Sequence, residues 1–278
     1  MIYEGTMVED SFTITTIYTA FERLFPEDYA FKGEYHNFYE LVVVTDGELG
    51  VAAGSDILTL KQGQAILHEP MEYHNVWSEN KTTPHVFIFS FQAVNMPGYQ
   101  NKVFQIEDVQ AVPRVLQAIH SGFEVEEDYK IAKKYAGDDT SWQSAVKNLE
   151  LFLLRLLSKE AEKQGSRLQS PMAKNYARAM SVLENHIHQN LSVGEIARLC
   201  NMSEISLQKT FSKYAGIGVR QYYNRLKITA ATQMLQAGVA VKECAKLLGF
   251  ANQNYFSTVF KRITGTSPAD YKREIKSQ

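Results

Sequence analysis

The feature that most constrains this chain is a repeat running from Ser192 to the C-terminus. The first copy reads Ile196-Ala197-Arg198-Leu199-Cys200-Asn201-Met202-Ser203, followed by Leu207, Phe211 and Gly216. The second reads Cys244-Ala245-Lys246-Leu247-Leu248-Gly249-Phe250-Ala251, followed by Phe256, Phe260 and Gly265. The steps Leu207 to Phe256 and Phe211 to Phe260 are equal, so the copies are offset by about fifty residues, a period that marks duplicated architecture. Each copy has the grammar of a helix-turn-helix. A short amphipathic helix carries a small residue, Ala197 or Ala245, where a second helix must cross closely. A break follows at Asn201-Met202-Ser203 or Gly249-Phe250-Ala251, where Asn and Gly tolerate a left-handed backbone. A second helix then places apolar residues at i and i+4 and polar ones opposite.

Local signals agree with this reading. Ser192 followed by Glu195 is a capping box, and Ser267-Pro268 is a cap with proline at the first helical position, opening a last short helix. A DNA-reading second helix needs a polar outer face at its N-terminal end. Those faces offer Glu204, Ser206, Gln208 and Lys209 in the first copy. In the second they offer Asn252, Gln253, Asn254, Ser257, Thr258 and Lys261, with Asn252 equally suited to capping its helix. Gln208, Gln253 and Asn254 carry the donor-acceptor pairs that meet adenine edges, and Lys209 can meet guanine. Lys209, Lys213, Arg220, Lys246, Lys261 and Arg262 are candidates for holding or flanking phosphates. The alternative is a helical bundle with two similar hairpins.

At these residues the chain resembles the AraC-type family of bacterial transcription regulators. The likeness is densest in Gly249-Phe250, Tyr255-Phe256-Ser257, Val259-Phe260-Lys261, Gly265, Ser267-Pro268 and Tyr271-Lys272. Ser267 stands where the family usually has threonine. The resemblance implies two motifs joined by one long helix and entering successive major grooves of promoter DNA. Val219 to Gln236 suits that helix, with Tyr222, Leu226, Thr229/Ala230 and Met234 at helical spacing and Gly238 as a stop.

Length and charge fit two domains with different partners. The 278 residues suffice for two cores. The net charge of -2 hides a division: from Ala173 onward there are 15 Lys+Arg against 6 Asp+Glu, and before it 14 against 25. A basic module attached to an acidic one is the balance of a phosphate-binding unit fused to a unit of another kind. No apolar run of about eighteen residues reads as a membrane span, and the N-terminus carries no secretory pattern, so a cytoplasmic protein without membrane partners is expected. Cys200 and Cys244 read as small core residues, not as a disulfide or metal pair.

From Phe12 to Gln92 the chain is a series of short aromatic and β-branched runs divided by turn signals. Candidate strands are Phe12–Tyr18, Phe38–Val44, Glu48–Val51, Ile57–Leu60, Ala65–Leu67, Tyr73–Trp77 and His85–Phe91, with Asp46-Gly47 as a hairpin turn. Such spacing reads as a sandwich or closed barrel. The order His36, Tyr39-Glu40-Leu41, Gly47, Gly63, Pro70, His74 resembles the cupin-like sensor domain found ahead of AraC-type DNA-binding units. The metal-ligand places of metal-binding cupins fall on Glu34, His36, Glu40 and His74, so the first histidine of that pattern is a glutamate here and the usual site is broken. Glu34, His36 and Glu40 share strand parity and would point to one face. The open readings are a divalent ion, a polar small-molecule pocket, and structural histidines; no resident metal or cofactor is assigned. A pocket lined by Arg23, His36, Glu40, His68, His74, Trp77 and Phe89 would mix aromatic faces with converging polar groups. The usual Pro-Pro-Gly before the later histidine is Glu69-Pro70-Met71 here. The family's habit makes a sugar the effector class, although the lining suits other small polar metabolites.

Between the halves, Val109–His120 reads as a helix, and Ser141 to about Glu162 as a stronger one with Trp142, Ala145/Val146, Leu149, Phe152/Leu153 and Leu156/Leu157 on one stripe. The stripe either makes the family's dimer contact or packs on its own barrel. Glu160–Ser170 loses the stripe and reads as a linker before Pro171. The expected fold is α+β: a cupin-like β-barrel over residues 1–105, a helical dimerisation or connecting region over 106–163, a linker over 164–172, and an all-α double helix-turn-helix domain over 173–278. The expected function is a ligand-responsive regulator and not an enzyme, an activator of carbohydrate-metabolism genes. It would act as a homodimer on double-stranded promoter DNA with RNA polymerase as partner. Alternatives are a barrel that answers to a metal or partner protein, and a metal-dependent cupin enzyme.

Overall fold

The computed structural model describes residues 12–97, 99, 103–127, 129–134, 140–157, 166–167 and 170–276. These fall into two compact units, one within 1–30, 35–51 and 58–167, the other within 31–34, 52–57 and 168–278. The β-rich part runs β1 (Thr13–Leu24), β2 (Tyr39–Asp46), β3 (Glu48–Ala53), β4 (Asp56–Lys61), β5 (Gln64–His68), β6 (His74–Ser78), β7 (His85–Val94) and β8 (Val103–Gln105). Helix α1 (Ala111–Gly122), a small hairpin of β9 (Phe123–Val125) and β10 (Ile131–Lys134), helix α2 (Ser141–Leu157) and the two-residue β11 (Ser166–Arg167) follow. One sheet has the order β1-β7-β2-β5-β8 and the other β11-β4-β3-β6. The Asp46-Gly47 turn forms as the sequence predicts, with Gly47 at a φ of 74°.

The five-stranded sheet has two unlike faces, and strand alternation separates them. Leu41 pairs with Leu67 on one side and Phe89 on the other, and Val43 pairs likewise with Ala65 and Phe87. This apolar face packs in one core with Val112, Val115, Leu116 and Ile119 of α1 and Ala145, Leu149, Leu153 and Leu156 of α2. The α2 residues Ala145, Leu149, Leu153 and Leu156 are therefore buried in their own unit's core, with Trp142, Val146, Phe152 and Leu157 partly buried against it. On β1 the core-facing residues Ile14, Ile17 and Ala20 are three apart, not two. Register shifts between Ile14 and Thr16 and between Ile17 and Thr19 account for it, because each bulge adds a residue and reverses the parity.

The second unit is helical: α3 (Pro171–Asn185), α4 (Val193–Leu199), α5 (Glu204–Tyr214), α6 (Val219–Gln236), α7 (Val241–Leu247), α8 (Gln253–Thr264) and α9 (Pro268–Lys276). Its boundaries follow the caps. Ser192 and Glu195 form the reciprocal capping box, and Ser203 and Asn252 each accept from a backbone N–H three residues on. The connecting helix α6 has the predicted span, and Gly238 follows it at a φ of 90°. The left-handed residues of the two breaks are Asn201 (φ 53°) and Gly249 (φ 64°). Only glycine fits the second, since a Cβ there would lie 2.3 Å from the His188 carbonyl oxygen.

Within the span expected as a linker, Ser166 and Arg167 pair with Thr59 and Leu58, and Ser170 caps α3 with Pro171 at its start. Residues 158–165 lie outside the described residues, as does the predicted extension of α2 to Glu162. Helix α3 itself was not anticipated. It supplies Tyr176, whose ring meets Phe211 and Tyr214, so that the first copy's second helix has an apolar floor.

Candidate nucleic-acid interface and ligand site

In the helical unit the reading helices turn one face inward and leave the other bare. Leu207, Thr210, Phe211 and Tyr214 are buried on α5, while Glu204, Ile205, Gln208, Lys209, Ser212 and Lys213 are exposed. The exposed positions recur at i, i+1, i+4 and i+5, a continuous outward stripe from the helix N-terminus. On α8, Phe256, Val259 and Phe260 are buried, and Gln253, Asn254, Tyr255, Thr258, Lys261 and Arg262 are exposed.

The sequence-selected residues differ in what remains available to them. Gln208, Lys209, Gln253, Asn254 and Lys261 lie on the outward faces. Glu204 stands at the first position of α5, its carboxylate close over Gly194. Ser206 and Ser257 are half-buried at the edges of the stripes. The Asn252 oxygen accepts from the Tyr255 N–H at 2.8 Å, so its carboxamide caps α8 and only its NH2 is uncommitted by that bond. The Thr258 hydroxyl donates back to the Asn254 carbonyl.

Several cations are spent inside the unit. Arg220 donates to the Leu191 carbonyl at 2.6 Å and to the Asn190 side chain at 2.9 Å, which argues against a phosphate role. Lys272 donates to the Gly238 and Val239 carbonyls just past α6. Lys227, 2% exposed, donates to the Gln189 and Leu248 carbonyls and lies against the rings of Tyr223 and Phe250. Burial, with the charge of Arg220, lowers its pKa to about 8. Lys209, Lys213, Lys246, Lys261 and Arg262 are exposed on or beside the two reading helices.

In the β-rich unit a polar row crosses four strands on the face opposite the helices. Thr19 pairs with Ser90, Ser90 with Glu40, and Glu40 with His68. The Thr19 hydroxyl donates to Ser90 Oγ at 2.7 Å, and Ser90 donates to Glu40 Oε2 at 2.9 Å. The Nε2 of His74 lies 3.3 Å from Glu40 Oε1, and that of His36 3.7 Å from Glu40 Oε2. Both imidazoles are fixed by main-chain carbonyls: Phe38 O is 2.9 Å from His36 Nδ1, and Glu72 O is 3.1 Å from His74 Nδ1. A carbonyl only accepts, so each Nδ1 carries its hydrogen and Nε2 is the atom turned to the carboxylate. Burial pushes the Glu40 carboxyl up, but hydrogen bonds and charge from His36 and His74 outweigh it and hold the group well below the usual carboxylate range. His68, fully buried, stacks on His74 at 4.2 Å. Burial, with the charge of His74, lowers its pKa to about 4, so it is neutral at neutral pH. Its Nε2 meets no hydrogen-bond partner in the protein.

Thus His36, Glu40, His68 and His74 come together as the sequence predicts, and three other pocket candidates do not. Arg23 is exposed near the end of β1. Trp77 has the opposite parity from His74 on β6; its indole lies over Gly50 and donates to Glu79 at 2.6 Å. Phe89 belongs to the core on the helix side of the sheet. The parity argument for Glu34 and His36 also fails, since neither lies in a named strand and a bend at Asn37-Phe38 precedes β2. The His36 ring stacks on Phe38 at 3.8 Å instead. Met71 is left-handed, at a φ of 68°, and its N–H donates to the His36 carbonyl.

Sequence reasoning missed Thr19, Ser90 and Glu72. Ser90, a lone hydroxyl within the apolar run Val86–Phe91, was the readable signal; the bulge in β1 hides Thr19. It also missed Ile205, which stands two residues before Leu207, about 160° round the helix from the buried face. The ligand atoms of Glu34, His36, Glu40 and His74 lie within 4.8 Å of one another, so this nitrogen and carboxylate set fits a divalent cation.

Comparison with known proteins accounts for both units. Residues 196–274 match the family described as a helix-turn-helix domain, and residues 20–133 match the AraC-like ligand binding domain. The probable transcriptional regulator LumQ of Photobacterium leiognathi is 28% identical over 145 residues, covering 52% of this chain and 56% of that protein. The chain thus spans only about half the length of that relative. The HTH-type transcriptional activator RhaS of Citrobacter koseri is 25% identical over 251 residues, 88% of each chain. Among solved structures, ToxT from Vibrio cholerae O395 is 16% identical, covering 96% of this chain and 99% of that one, with a TM-score of 0.39. With an AraC-like ligand-binding domain followed by a helix-turn-helix domain, the chain belongs to the AraC/XylS family of transcription regulators.

Proposed function

We propose that this protein is an activator that binds promoter DNA through α5 and α8 and answers to a small polar effector held beside Glu40. The observation that carries the reading is the matched pair of bare polar stripes, Gln208 and Lys209 on α5 and Gln253, Asn254 and Lys261 on α8, each backed by a buried aromatic core. The N-terminal ends of these helices present base-reading groups, and Lys209, Lys213, Lys246, Lys261 and Arg262 neutralise phosphates. Glu204, Ser206, Ser257 and Thr258 flank the contact, and Asn252 serves chiefly as a cap. Partners on this reading are a second copy of the chain and RNA polymerase, in the cytoplasm, and no catalytic role is assigned. No helix among the described residues is long and apolar enough to cross a membrane. Binding of selected duplexes by full-length protein tests it. Gln253→Ala is expected to relax preference at one base position, whereas Lys261→Ala weakens all duplexes alike and lowers the salt slope by about 0.9. Sequence-blind losses for both would remove Gln253 from the base-reading set.

For the effector, the partnerless Nε2 of buried His68 is the place where a ligand hydroxyl would bond, beside a Glu40 carboxylate able to accept another. A sugar has that chemistry and is the class proposed, with carbohydrate-metabolism genes as targets. The second reading, a divalent cation, is favoured by the four converging ligand atoms. Glu34, His36, Glu40 and His74 would hold it, and it would supply positive charge against the two carboxylates. Thermal denaturation with a panel of sugars and with zinc ion separates the two. A sugar-dependent rise lost in His68→Ala supports the first, and a zinc-dependent rise lost in His36→Ala and His74→Ala supports the second. If neither probe raises the melting temperature, both assignments fall.

A further inference from the structure

The stripe on α5 contains one residue that polar recognition does not explain. Ile205 is 70% exposed, at the second position of the helix and between Glu204 and the Gln208/Lys209 pair. A branched apolar side chain gains nothing from water there, and its β-branch does not favour the helix. The repeat gives a contrast. The step that carries Leu207 to Phe256 carries Ile205 to Asn254, also exposed in the first turn of its helix. Equivalent tips of the two reading helices therefore carry opposite chemistries, an aliphatic group on one and a carboxamide on the other.

We infer that Ile205 is a specificity-determining residue that contacts the C5-methyl group of a thymine in the major groove. Thymine alone of the four bases offers an apolar group on its major-groove edge, so a bare isoleucine at the reading tip selects it by burying methyl against methyl. Neighbouring Lys209 and Lys213 hold the backbone phosphates and keep this side chain at the groove floor. Because Asn254 hydrogen-bonds where Ile205 packs, the two half-sites differ at corresponding positions, and a site built as two identical half-sites is read less well than one with a thymine only in the α5 half. The inference rests on the DNA-binding role proposed above and specifies the base class at one position of that contact.

The test uses full-length protein and the duplex it selects from a random-sequence library. Each thymine of that duplex is replaced in turn by deoxyuridine, which removes only the methyl group. Wild-type protein is expected to lose about threefold to fivefold in affinity at one thymine of the α5 half-site. Ile205→Ala is expected to lose that sensitivity at the same thymine and at no other, and library selection with the variant should relax that position alone. Ile205 is exposed and alanine is the better helix former, so the variant should fold, and its melting curve verifies this. A deoxyuridine profile unchanged in Ile205→Ala, or a wild-type profile with no sensitive thymine, overturns the inference while leaving DNA binding intact. Failure of the wild-type protein to enrich any duplex overturns the DNA-binding role, and the inference with it.

Discussion

Single residues here do work that their type alone does not announce. Lys227 is counted among the 15 cations of the basic half, yet it is buried and spends its ammonium on two main-chain carbonyls. One carbonyl, Gln189, precedes the first helix-turn-helix, and the other, Leu248, ends the first helix of the second. The residue ties the two copies across α6. Its folded pKa of about 8 lies below the usual lysine value of 10.5, chiefly through burial. The unfolded chain therefore binds the extra proton between those values, and the sign follows: stability should rise as pH climbs from about 8 to 10.5. Chemical denaturation of the protein and of Lys227→Met across that window checks it. The rise should vanish in the variant; an equal rise in both would place its origin elsewhere, and not in Tyr223, whose pKa burial pushes up to about 12 and which therefore lowers stability as pH climbs past 10.

At the scale of elements, helix α2 illustrates how a stripe acquires a partner. Its apolar residues pack on the sheet face, and among them stands Glu150, 5% exposed. One carboxylate oxygen accepts from the Ile14 N–H at 2.8 Å, the other from Lys147 at 2.7 Å. The bond fixes α2 against the start of β1, just before the first bulge breaks the regular register. Replacing Glu150 by leucine strands that N–H in the core, at a cost of about 1–3 kcal/mol, and urea denaturation of the variant should report it. No loss of stability would mean that β1 finds another acceptor. The sequence disclosed the stripe but left two surfaces able to cover it; the folded sheet, with Leu41, Phe87 and Phe89 on the matching face, covers Ala145, Leu149, Leu153 and Leu156.

Over the whole molecule, formal charge misstates the electrostatic contact available to DNA. Arg220 and Lys272, like Lys227, are consumed by internal carbonyls, so counting the basic half overestimates the cations free for phosphate. Measured as the dependence of log affinity on log salt, Lys209→Ala is expected to lower the slope by about 0.9 and Arg220→Ala to leave it unchanged. Equal slope changes would return Arg220 to the phosphate-binding set.

The sequence by itself determined the duplicated helix-turn-helix, the bounds of α6, the caps at Ser192, Asn252 and Ser267, and most strand positions. These depend on period, turn residues and neighbours within a few positions, interactions that a linear pattern records. It also placed His36, Glu40, His68 and His74 in one site. Tertiary structure alone decided that Thr19 joins them, that Trp77 and Phe89 face away, and that the buried residues of α2 pack on their own unit's sheet. Each of those outcomes turns on which face of a strand or helix meets a distant neighbour. One bulged residue reverses that face without changing the composition around it.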